Sequence, residues 1–101
     1  MDFNEATERL HAIARDNGLE KVLNKLAEEC AEYTAARLQY HERRTDDWIE
    51  ELADIWILVQ QAEILLKREP MLESRIMETA GRKIRRQIRR IEERGGKISD
   101  L

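Results

Sequence analysis

Residues 48–66 read WIEELADIWILVQQAEILL, and thirteen of these nineteen residues are apolar. On a helix of 3.6 residues per turn they do not collect into one stripe. Ile49, Leu52, Trp56 and Val59 fall on one side, and Ile55, Leu58, Ala62 and Leu65 on another. A helix apolar all round is expected to be buried on every side. Yet Glu50, Glu51 and Asp54 stand near its start, and Asp54 lies between Ala53 and Ile55. Carboxylates rarely go inside a protein unless something pairs with them. A buried helix that carries acids therefore sets the fold and points to a site.

Working outward, the spacing predicts four helices. The first covers about residues 4–17, with Phe3, Leu10, Ile13 and Ala14 as a weak apolar face and Asn17-Gly18 as its stop. The second covers about 19–39, where Leu19, Val22, Leu23, Leu26, Cys30, Tyr33 and Leu38 recur at three- and four-residue steps. Cys30 reads as a small core residue. A polar, aperiodic run from Gln39 to Asp46 is the expected loop. The third helix runs from about 47 to 69, with Asp47 as N-cap and Glu50 three residues on as a capping-box variant. Pro70 opens the fourth, about 70–94, whose line Leu72, Ile76, Ala80, Ile84, Ile88 and Ile91 is interrupted by Gly81. Residues 97–101 are expected to fray. The expected fold is all-α: one domain over residues 1–101, an antiparallel four-helix bundle that oligomerises through its central helices.

Charge divides the chain. Residues 1–70 hold 9 Lys and Arg against 16 Asp and Glu, a net −7, and residues 71–101 hold 9 against 5, a net +4. Cys30 is the only cysteine, so no disulfide forms within the chain, which fits a reducing compartment. The first ten residues carry no apolar signal region. The acids of residues 48–66 make bilayer insertion costly, so a cytoplasmic protein without a membrane partner is expected.

Two acid pairs carry the chemistry. Glu29 with Glu32, and Glu51 with Asp54, are each spaced i, i+3, which places both carboxylates on one helix face. If the second and third helices pack antiparallel, the pairs face each other and form a cage of hard oxygens suited to Mg²⁺ or Mn²⁺. Glu28 sits beside the set and is a candidate to hold or deprotonate a water. The cage sets a condition on the second helix. It must end or kink near Leu38 to Tyr40, or the pairs fall out of step by roughly one turn, ~5 Å. On the fourth helix, Lys83, Arg86 and Arg90 form a cationic row suited to phosphate, so the implied ligand is a polyphosphate.

Lys25-Leu-Ala-Glu28-Glu29-Cys-Ala-Glu32 followed by Ile49-Glu50-Glu51-Leu-Ala-Asp54-Ile resembles the EExxE…ExxD signature of the MazG-like all-α nucleoside triphosphate pyrophosphohydrolases. Lys83-Ile-Arg-Arg86-Gln-Ile-Arg-Arg90 is similar to the basic last helix of small, phage-type members. The resemblance covers roughly residues 20–94 and implies hydrolysis of a nucleoside triphosphate to the monophosphate and pyrophosphate. It implies Glu29, Glu32, Glu51 and Asp54 as Mg²⁺ ligands, Glu28 as base or outer-shell acceptor, and Lys25, Lys83 and Arg86 as phosphate contacts. It also implies a homodimer or homotetramer. With few aromatics beside the basic helix to stack on bases, nucleic acid is not an expected partner. The alternative is a non-catalytic helical oligomer that binds a protein or nucleic-acid backbone through that helix.

Overall fold

The computed structural model describes residues 1–43 and 45–98, without the side chains of His41 and Arg43. Four helices and no strand occur among the described residues: α1 (Phe3–Asn17), α2 (Leu19–Arg43), α3 (Asp47–Leu66) and α4 (Pro70–Glu93). Met1–Arg68 and Glu69–Leu101 form two units. No described helix is long and apolar enough to cross a membrane. The expected fraying of 97–101 falls, for residues 99–101, outside the described residues.

In the first unit, the Asp2 carboxylate caps α1 by accepting from the Glu5 N–H at 2.8 Å. Gly18 ends it as expected, in the left-handed region at φ +80°, and its N–H donates to the Ala14 carbonyl at 3.0 Å. The chain then enters α2 at once, with the Val22 N–H donating to the Gly18 carbonyl. The core joins all three helices: Ala14 from α1, Val22 from α2, and Leu58, Ala62 and Leu65 from α3, with Leu19, Leu26 and Ile64 packed partly against it.

Four expectations are corrected. First, α3 is not buried all round in the single chain. Its Leu58, Gln61, Ala62 and Leu65 face is buried, whereas Ile49, Leu52, Trp56 and Val59 are 39–57% exposed. Two neighbouring helices cover one side of a cylinder and leave the other open. Second, Cys30 is exposed, because its neighbour Glu29 takes the inward position on α2. Third, α3 has Asp46 at its N-cap with no side-chain cap bond. Asp47 is drawn back instead, its Oδ2 accepting from Thr45 Oγ1 at 3.3 Å, and the capping box does not form. The same helix stops at Leu66 rather than 69, leaving Lys67 to Glu69 as the approach to Pro70. Fourth, α2 runs on to Arg43 instead of ending at 38–40. The acids still meet because Trp48, in the first turn of α3, packs against Arg37 and Tyr40. α3 therefore begins level with residues 37–40, and the last turn of α2 runs past it.

In the second unit, Pro70 occupies the first turn of α4, where its missing N–H is not needed. The helix continues through Gly81 as one element and stops before Gly95, which holds φ +90°. A Cβ at Gly81 would meet only the Arg85 guanidinium, at 3.9 Å, so close packing does not explain this glycine.

Candidate metal centre

α2 and α3 bring together three of the four expected acids. One carboxylate oxygen from each of Glu29, Glu51 and Asp54 lies within 4.8 Å of the other two. The group is graded from inside to outside: Glu29 is buried, Glu51 half-buried and Asp54 exposed. Glu32, exposed and one turn on from Glu29, stands outside this triad but acts on Glu51 through its charge. Asp54, which lies between apolar residues in the sequence, is thus the most accessible of the three, and Glu29 is the innermost. The register of α3 against α1 contributes to this: Asn17 Nδ2 donates to the buried Gln61 Oε1 at 2.9 Å.

Electrostatically the cluster is under-compensated. Glu29 Oε2 and Glu51 Oε2 are buried and have no hydrogen-bond partner. Burying a carboxylate oxygen without a donor costs free energy, and ionised acids side by side add repulsion. The result is visible on Glu51. Burial first, then hydrogen bonding to Glu29 and the charges of Glu32 and Glu29, raises its carboxyl from 4.5 to about 6. The nearby cation, Lys25, is shared. Its Nζ lies 3.2 Å from Glu28 Oε2 and 3.6 Å from Glu29 Oε1, which leaves Glu29 Oε2 unanswered. Two orphaned inner oxygens and a third carboxylate open to solvent fit a divalent ion that takes oxygen ligands and keeps water on its outer side.

The remaining expected site residues are placed differently. Glu28 and Lys25 are a surface pair, 65% and 53% exposed, and hydrogen bonding to Glu28 raises the Lys25 ammonium, keeping it charged. Lys83 and Arg86 lie on α4, where with Gln87 and Arg90 they line a recess of about 160 Å³.

Sequence reasoning missed two features of the α1–α3 unit. One is the Asn17–Gln61 bond, whose signal was a glutamine on the most apolar face of the chain. The other is an aromatic cluster. The Arg37 guanidinium stands 4.9 Å from both the Tyr40 and the Trp48 ring centroids, and the two rings meet edge-on at 6.4 Å. Its signal was the i, i+3 spacing of Arg37 and Tyr40 at the end of α2. Comparison with family models, curated proteins and solved structures finds no match to this chain.

Proposed function

We propose that this chain is a Mg²⁺-dependent nucleoside triphosphate pyrophosphohydrolase, built on an antiparallel helical bundle and active as a homodimer or homotetramer. The observation that carries this reading is the convergence of Glu29, Glu51 and Asp54 with two buried carboxylate oxygens left without a donor. Such an arrangement is costly for the fold alone and useful to a cation. The resemblance of the Glu28–Glu32 and Glu51–Asp54 segments to the MazG-like signature supplies the reaction. Water attacks the α-phosphorus, the bond from that phosphorus to the bridging oxygen breaks, and pyrophosphate leaves with the electron pair.

Glu29, Glu51 and Asp54 would hold the ion, with Glu32 the added ligand that the family pattern calls for; Mn²⁺ fits the same oxygens. Bound there, a divalent ion neutralises phosphate charge and acidifies a water. Glu28 is the proposed proton acceptor, its Oε2 held by the Lys25 ammonium at 3.2 Å. Lys25, Lys83 and Arg86 are the proposed phosphate contacts. The exposed Ile49, Leu52, Trp56 and Val59 face of α3 supports self-association, because contiguous apolar surface of this kind marks an interface.

A panel of common ribo- and deoxynucleoside triphosphates, assayed for pyrophosphate with and without Mg²⁺, tests the proposal. Release from at least one nucleotide is expected with Mg²⁺, and its loss in folded Glu51→Gln and Asp54→Asn variants. Silence across the whole panel would refute it.

A further inference from the structure

The proposed phosphate contacts use only part of the charge on α4. Six cations fall between residues 82 and 90, and no acid lies between Glu78 and Glu92. They sort into two rows with the same i, i+3, i+7 spacing: Lys83, Arg86 and Arg90, and one position back, Arg82, Arg85 and Arg89. All six are exposed, and among the described residues only Arg82 is ion-paired, to Glu78 at 3.8 Å. Both partners of that pair are more than 60% exposed, so it neutralises little. The arginine row, with Ile88, lines a shallow concavity of about 540 Å³, larger than the recess beside Lys83 and Arg86.

We infer that Arg82, Arg85 and Arg89 form a nucleic-acid backbone surface. Seven residues of α-helix rise about 10.5 Å. Along one strand of a duplex that length spans about three phosphates at ~3.4 Å of axis each. The three arginines stand about 4.5 and 6.0 Å apart along the axis, so their long side chains reach neighbouring phosphate groups, and Arg presents two parallel N–H donors to each. An anionic membrane fits less well. The apolar line Leu72, Ile76, Ala80 and Ile84 lies roughly 150° round the helix from the arginine row, taking 3.6 residues per turn. A helix lying in a bilayer surface on that line would turn these arginines toward water, not toward headgroups. An acidic protein fits less well too. The row's flanks, Ser74, Glu78, Gly81 and Glu92, carry no aromatic side chain, and Ile88 beside it is a single aliphatic contact rather than the aromatic cluster that dominates protein interfaces. Recognition is through the backbone and carries no base sequence, because the row has no aromatic side chain on which successive bases would stack.

The test uses the full chain and a fluorescein-labelled 20-base-pair duplex, followed by anisotropy from 50 to 200 mM salt. Binding at 50 mM salt is expected, with a steep log–log salt dependence. The triple variant Arg82→Gln/Arg85→Gln/Arg89→Gln should bind at least tenfold more weakly and flatten the slope by about 2 to 3, following the counterions that three phosphate contacts release. Lys83→Gln/Arg86→Gln should keep most of the slope. Circular dichroism confirms that each variant retains its helices. No duplex binding at 50 mM salt, an unchanged slope in the triple variant, or preferential binding to phosphatidylglycerol vesicles would overturn the inference. Because these outcomes do not involve nucleotide hydrolysis, they stand or fall apart from the proposed activity.

Discussion

Glu51 shows what the acid cluster costs the fold. Its carboxyl is raised from 4.5 to about 6, chiefly by burial and then by Glu29 and Glu32. An acid whose folded-state pKa lies above its unfolded value favours folding while it is protonated. That contribution is present below about 4.5 and is lost as pH rises through about 6. Without divalent ions, the melting temperature should therefore fall as pH rises through this window, a trend readable by circular dichroism. Glu51→Gln should flatten that step and raise the metal-free melting temperature at pH 8, and Asp54→Asn should act in the same direction more weakly, since Asp54 is exposed. A lower melting temperature for Glu51→Gln at pH 8 would mean that the acids are simply solvated. The i, i+3 spacing made both acid pairs legible in the sequence. It did not reveal that Glu29 is innermost and Glu32 outside the triad, because helix rotation is set by distant contacts such as Asn17 to Gln61.

The helices themselves were legible in number, order and most of their boundaries, and the C-terminal ends of α2 and α3 were not. Gly18 and Pro70 act through backbone geometry that depends on residue type alone, so they mark boundaries reliably. The end of α2 depends instead on a tertiary contact, Trp48 against Arg37 and Tyr40, which lets a polar run continue as helix through Arg43. Arg37→Ala should therefore lower stability by about 0.5–1 kcal/mol, the value of an exposed cation–π contact, in a denaturant titration. In α4, Gly81→Ala should stabilise by about 1 kcal/mol, since a Cβ there meets only the Arg85 guanidinium. A destabilised Gly81→Ala protein would show that another surface approaches this position in solution.

At the scale of the molecule, the apolar character of residues 48–66 has two sources that the sequence could not separate. One half of α3 builds the core through Leu58, Ala62 and Leu65, and the other half, Ile49, Leu52, Trp56 and Val59, is left open. A periodicity argument counts apolar positions but not what covers them. If the open face joins copies of the chain, Trp56→Glu should convert the oligomer to a monomer in light-scattering chromatography while helix content is retained. The proposed sites follow the charge division, the cation site in the acidic first 70 residues and the anion surface in the basic remainder. Whether the Glu29, Glu51 and Asp54 oxygens hold a divalent ion is read by a Mn²⁺ titration followed by electron paramagnetic resonance. Saturable loss of the free Mn²⁺ signal is expected with the wild-type chain, competed by Mg²⁺ and abolished in Glu51→Gln. Equal Mn²⁺ uptake by wild type and Glu51→Gln, or none by either, would contradict it.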